Sequence, residues 1–456
     1  MVRRFTFLLL VLAAAAAASV PAWAQTPLSV ADAVARARAR NPEARAAASL
    51  ASEAEARVSQ ARAGYLPRVD VSESWQRGNQ PVFVFSSLLS QRRFEAADFT
   101  LDALNHPGAT ANFRAGVTIE QPIFNAVARA ATAAARAASD IAALGVTQAN
   151  RDLAVTVTSA YGRVLLASAR AQAAAAAVAS AGADRARAAA RRDAGLVTDA
   201  DVLQLDMYLS RARASEIEAR ADERIARADL NAVMGEPLDS EFALAPLEYS
   251  LAPLGYSLAP PGSPAAIDLI DLPALEAEAL AARTEVQAAI QYERIAVAAG
   301  ASARAAFLPQ VSAHGGWEVN GGEFQTRASS WIAGITARVN VFNGFADRAR
   351  LAEARAEAGR RAIERDRVET AVRLDVRTAA ARVASARARV DTAQAALAQA
   401  REARRIIRDR YENGLAGIAD LLGAARSEEE AATMRLSAEI DLAVAAASLH
   451  RALGRP

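Results

Sequence analysis

Residues able to do catalysis are few in this chain, and they do not converge. The three histidines, His106, His314 and His450, fall in a loop, a strand and a terminal helix, with no metal-ligand spacing among them. There is no H-E-x-x-H, no G-x-S-x-G and no phosphate-cradling glycine loop. Gly315-Gly316 and Gly321-Gly322 read as flanking a strand hairpin, where tight turns need glycine. Cysteine is absent, which excludes disulfides, thiolate metal sites, a thiol nucleophile and an N-terminal lipid-bearing cysteine. No enzyme activity, cofactor or metal is expected. The 53 basic residues are all Arg and are interspersed with 51 acidic ones, for a net charge of +2. Such mixing describes solvated helix faces, so nucleic-acid binding is not expected.

Where polar spacing does carry chemistry, it is the chemistry of helix ends. Gly195 suits a left-handed position just past a helix, and Thr198-x-x-Asp201 has the spacing of a capping box that restarts one. This predicts the tip of a helical hairpin. The same tip returns around Gly414-Leu415, at an offset of 414 − 195 = 219, with Asp420 three residues after Gly417. Leu230 to Gly235 maps onto Leu449 to Gly454 at the same offset, so the chain holds two copies of one unit.

The elements that must hold these tips follow in order. Residues 1–24 have Arg3 and Arg4, an apolar run and Ala22-Trp23-Ala24, the parts of a cleaved signal peptide, so the mature chain is expected to begin at Gln25. Residues 25–235 form the first repeat, 236–273 a proline-rich linker and 274–456 the second repeat. Neither repeat offers the roughly 20 uninterrupted apolar residues that a transmembrane helix needs.

Each repeat opens with a short helical segment, 42–63 or 283–306, ending at Leu66-Pro67 or Leu308-Pro309. Strand alternation follows at Val69, Val71 and Trp75 and at Phe113, Ala115, Val117 and Ile119. In the second repeat it runs through Val311, Ala313, Trp317 and Val319 and then from Trp331 to Val341. Residues 77–110 read as an extended loop with a short apolar segment from Pro81 to Phe85. Then come the longest segments, 125–192 and 344–411, each about 68 residues or roughly 100 Å of helix. From each tip a helix about half as long returns, so each repeat is expected to pack one long helix against two short ones end to end.

Four alternating strands in an exported chain cannot close a barrel, and open edges are not tolerated in lipid. Three chains would supply twelve strands. Alanine-rich rods with recurring charge fit a hollow tube of helices. The fold class expected is therefore α+β and membrane-bound. Long helical hairpins are expected to form a hollow tube, and four strands per chain to contribute to a twelve-stranded β-barrel shared by three chains.

This doubled order resembles the TolC-like outer membrane efflux proteins. The resemblance rests on Asn41-Pro42-Glu43, the two Leu-Pro pairs, Gln121-Pro122-Ile123-Phe124 and the two tips, and it covers nearly all of the mature chain. It implies a homotrimeric exit duct, a trimeric twelve-stranded β-barrel in outer membrane lipid continued by a periplasmic α-barrel, joined through a periplasmic adaptor to an inner membrane transporter for efflux or type I secretion. It also implies that Asp201, Tyr411 and Asp420 form a periplasmic gate, and that Gly195, Leu196, Gly414 and Leu415 are the tips contacting the adaptor. The chain departs from some relatives at Ala416, where they carry a gate-locking Arg, and at Gly423, where they carry a second acidic residue. The competing reading is a soluble periplasmic coiled-coil adaptor, which should have one hairpin where this chain has two.

Overall fold

The computed structural model describes residues 27–195, 198–245, 271–413 and 415–455. The expected signal peptide, linker residues 246–270, Leu196 and Gly414 lie outside the described residues. In chain order the elements are α1 (Val30–Arg40), α2 (Pro42–Arg62), β1 (Arg68–Gly78), α3 (Pro81–Ser90), α4 (Leu101–Asn105), β2 (Thr110–Phe124), α5 (Ala126–Asp193) and α6 (Asp199–Met234). The second half has α7 (Leu272–Ala282), α8 (Thr284–Ala305), β3 (Gln310–Gly321), β4 (Ala328–Arg338), α9 (Ala346–Glu412) and α10 (Ile418–Ala452). These divide into two compact units, residues 46–148 with 280–373 and residues 1–45 with 149–279 and 374–456.

The first of these units holds the sheet, four antiparallel strands in the order β1-β2-β3-β4. Pairing aligns Val71 with Val117, Val117 with Trp317, and Trp317 with Trp331. Because side chains alternate along a strand, this register collects Val69, Val71, Trp75, Val117, Ile119, Trp317, Trp331 and Ile335 on one face. The other face carries Arg68, Asp70, Ser72, Arg114, Glu120, His314 and Glu318. Strands of 11 to 15 residues suit a membrane crossing. Pro122, which has no N–H to give a ladder, sits where the β2–β3 register shifts.

Several expectations for this unit need correcting. Residues 77–110 are not an extended loop. Pro81 starts α3 at its first turn, and α3 ends at Gln91 where Arg92 turns to a φ of 54°. The apolar run from Pro81 to Phe85 is thus the start of a helix, a distinction that a short apolar stretch cannot make by periodicity. Gly315 and Gly316 do not flank a turn but lie inside β3, paired with residues of both neighbouring strands. β4 stops at Arg338, so Val339 and Val341 are outside the strand.

In the other unit, α1 and α7 are helices that the expected order lacked. Their starts differ by 272 − 30 = 242 and their ends by 282 − 40 = 242, the offset of the two Leu-Pro pairs. α7 thus starts at Leu272, within the last residues of the expected linker. Asn41 separates α1 from α2 because a residue before proline avoids the helical region; its φ and ψ are −58° and 133°. Its side chain accepts from the Glu43 N–H at 2.7 Å and donates to the Val233 carbonyl at 2.8 Å, tying α1 to the end of α6. Gly235 ends α6 with φ 71°, and a Cβ there would meet the Arg40 carbonyl oxygen at 2.6 Å.

Heptads organise the long helices of this unit. In α5 the buried Val157, Val164 and Ala171 recur every seven residues, as do Ala160, Ala174, Ala181 and Ala188 with one step skipped. In α9 Val376, Val383, Val390 and Leu397 alternate with Ala379, Ala386 and Ala393. In α10 Ala424, Ala431, Ala438, Ala445 and Ala452 hold the period. A strict seven-residue seam requires left-handed supercoiling, and alanine in the seam allows close helix approach. The alanine content also gives α5 an 18-residue window apolar enough to cross a membrane by length and composition, although charged residues still interrupt every stretch of about 20.

Tyr161 anchors an apolar cluster, with Leu28, Val157, Val164, Leu230 and Met234 around it. Its hydroxyl stands 2.7 Å from the Leu28 carbonyl and 2.6 Å from that of Ala245, holding the segment that pairs Leu28 with Leu244. Burial raises its pKa, so it remains a donor at physiological pH. Met234→Ala, which opens a cavity at a fully buried position, should lower stability by about 2–5 kcal/mol. Met234→Leu should cost less than about 1.5 kcal/mol. Denaturant midpoints followed by circular dichroism measure both.

Candidate periplasmic gate and tip surface

The candidate gate residues are positioned by two helix reversals. α5 ends at Asp193, the Gly195 N–H donates to the Arg192 carbonyl at 2.8 Å, and Gly195 adopts φ 72°. No atom lies within 4 Å of a Cβ built there, so glycine is required by conformation rather than space. Thr198 then caps α6. Its N–H and hydroxyl donate to the Asp201 carboxylate at 2.8 Å and 2.7 Å, and its hydroxyl oxygen accepts from the Asp201 N–H at 3.4 Å. The second tip closes with the Leu415 N–H donating to the Arg410 carbonyl at 2.7 Å. Asp420 accepts from the Gly417 N–H at 3.0 Å, half of a capping box, because glycine has no side chain to return the bond.

Both predicted carboxylates are therefore engaged within their own turns. Asp201 bonds Thr198 and makes no hydrogen bond to Tyr411. Tyr411 instead lines a groove of about 910 Å³ together with Tyr208, Arg404, Leu421, Leu422 and Glu428. The tips themselves pack together, with Ala188, Val202 and Leu205 of the first hairpin against Ile418 and Leu422 of the second. Leu415 is 70% exposed, while Leu196 and Gly414 lie outside the described residues.

Sequence reasoning missed the charged and aromatic ties that hold this region. Arg185 meets Asp206 at 2.9 Å across the first hairpin. Glu428 takes Arg404 at 2.8 Å and Arg401 at 3.5 Å across the second. The Arg426 guanidinium stands 5.5 Å from the Tyr208 ring centre, linking the two hairpins. None of these partners is close in sequence, so no local spacing announces them.

The Thr198 N–H, then its hydroxyl, holds the Asp201 carboxyl below the ordinary aspartate value. A depressed carboxylate stabilises the fold above its unfolded pKa, and that contribution is lost as pH falls through the lowered value. The first turn of α6 should fray in that acid window, with faster amide exchange. Asp201→Asn should exchange faster at neutral pH and show no such pH dependence. Thr198→Ala should cost about 1 kcal/mol of local stability in the same measurement.

The comparisons with known proteins match this architecture. The outer membrane efflux protein pattern matches residues 33–236 and 275–455, the two repeats in turn. Protein CyaE of Bordetella pertussis is 28% identical over 374 residues, which is 81% of this chain and 72% of that protein. The outer membrane channel CmeC of Campylobacter jejuni superposes with a TM-score of 0.75 at 16% identity, over 93% of this chain and 85% of that one. The open state of the outer membrane channel MtrE of Neisseria gonorrhoeae gives 0.72 at 20% identity, over 94% and 90%. A soluble coiled-coil adaptor finds no support in these matches. Two helical hairpins, joined to a four-stranded sheet with one apolar face and repeated along the sequence, place this chain in the outer membrane efflux protein family.

Proposed function

We propose that three copies of this chain form the outer membrane exit duct of a tripartite efflux or type I secretion system, docking through a periplasmic adaptor with an inner membrane transporter. The observation that carries the trimer is the sheet. β1 and β4 each have one unpaired edge, and one face of all four strands is apolar. In lipid every backbone polar group must be paired, so β4 of one copy has to meet β1 of the next. Four strands per chain close as twelve in three copies, and the helices continue from them into the periplasm. Mass measurement in mild detergent should give three copies, and a stable monomer with intact β signal contradicts the trimer.

The hairpin tips are the ends that a periplasmic partner meets. An exposed Leu415 beside the second reversal offers a small apolar knob; the proposed adaptor contact takes in Gly195 as well, and Leu196 and Gly414 by their place in the sequence. Leu415→Asp is expected to abolish efflux while leaving trimer mass and outer membrane insertion unchanged; efflux at the wild-type level rules out docking here. Asp420 is exposed at the start of α10, and three copies converging on a symmetry axis make a carboxylate ring that favours cations. Asp201 and Tyr411 complete that gate, the first by fixing the start of α6 and the second by its place in the groove. In a planar bilayer, Asp420→Ala should reduce cation preference. Unchanged selectivity leaves Asp420 as a helix cap alone.

A further inference from the structure

The groove that holds Tyr411 takes its lining from both hairpins, with residues of α5, α6, α9 and α10. All of them belong to one compact unit of one chain, so the groove is complete without a neighbouring copy. Its shape follows from where they stand. On α5 the lining runs from Leu166 to Arg191, a rise of about 37 Å at helix spacing. A volume of about 910 Å³ drawn out over that length is a slot rather than a bowl.

Along the slot the walls are largely apolar. Ala169, Ala173 and Ala177 recur on α5, and Leu421, Leu422 and Leu436 of α10 line the same space. Charge is not spread evenly. Midway, Arg187 is held by Asp184, and Arg404 meets Glu428 at 2.8 Å. At the tip end stand Arg191, two residues before α5 stops, and Arg408, four before α9 stops. Both are exposed, and neither has a carboxylate partner among the described residues. Other arginines of α9 are taken by a carboxylate three residues away, as Arg360 is by Glu357, Arg367 by Glu364 and Arg405 by Glu402. An apolar slot thus ends on two guanidinium groups whose charge is uncommitted.

We propose that the slot binds a single-chain organic anion of the fatty carboxylate type, with its headgroup on Arg191 and Arg408 and its chain along α5 and α10. A guanidinium matches a carboxylate in charge and in planar geometry, and the chain leaves water against alanine and leucine. A bulky ring system does not suit so drawn-out a space, and a cation meets the wrong charge at its end. Because α5 and α10 come from different hairpins, an occupant braces one tip against the other. The slot lies within one copy, so binding there stands or falls separately from the exit-duct reading.

The full-length protein, in lipid nanodiscs, is dialysed against radiolabelled laurate below its micellar concentration, and binding to empty nanodiscs is subtracted. Laurate should bind saturably, and dodecyltrimethylammonium, an equally long chain with a positive head, at least ten-fold more weakly. Arg191→Gln combined with Arg408→Gln should weaken laurate about ten-fold, as the loss of two exposed ion pairs does. Arg170 lines the far end of the slot, about 30 Å from Arg191 along α5, so Arg170→Gln should leave the affinity unchanged. Equal affinity for the two head charges in the wild type overturns the proposal, as does a double variant that binds laurate as the wild type does. A loss confined to Arg170→Gln overturns it too, because the head then sits at the opposite end. If the double variant does not assemble, Arg408→Gln alone, with an expected loss of about three-fold, and the comparison of head charges in the wild type give the same decision.

Discussion

A β-sheet with one apolar face and two unpaired edges cannot sit in a bilayer alone, and most of this protein follows from that constraint. Hydrocarbon offers no partner for the free N–H and C=O groups of β1 and β4, so the edges must be paired with other copies. Closure then decides which face is lumen, and hence where Arg114, Glu318 and His314 point.

The helices answer a second demand, that they pack side by side while charged residues remain in water. An alanine seam at seven-residue spacing does this with little apolar surface. Individual alanines bury little area, so each contact contributes modestly, and it is the recurrence along α5, α9 and α10 that adds up. The cost of such a seam is weak local anchoring. The structure compensates at intervals with larger features: the Tyr161 cluster near one end of the unit, the Arg451–Asp152 ion pair, and the packed tips around Leu205.

At the tips, conformational needs and the proposed gating role fall on the same residues. Asp201 and Asp420 are bound to the backbone of their own turns, so the carboxylates that would line an aperture also hold the helices that frame it. Rigid placement suits a charged ring, because a preorganised carboxylate needs no reordering when a cation approaches. Replacing such a residue changes both the field at the aperture and the stability of its helix start, and only readouts that separate the two assign its role.

Local rules sufficed for the two repeats, the four strands, the long rods and the reversals at Gly195 and Thr198-Asp201. Each of these is written in short-range terms: alternation of side chains, a glycine in left-handed backbone, a capping pair three residues apart. The same rules failed where local signals are degenerate. A five-residue apolar stretch at Pro81 serves strand or helix equally, a Gly-Gly pair fits a turn or a close-packed strand, and the helix at Leu272 was hidden by neighbouring prolines. The sequence by itself thus determined the elements, their doubling and the apolar face that demands lipid. Only the tertiary structure decided that Gln91 ties to Ala111 and Arg92 to Ser329 at the strand ends, and that Tyr411 lines a groove with Tyr208 and Arg404. It likewise set Arg426 against Tyr208. These depend on contacts between residues tens to hundreds of positions apart, which leave no periodicity or spacing to read.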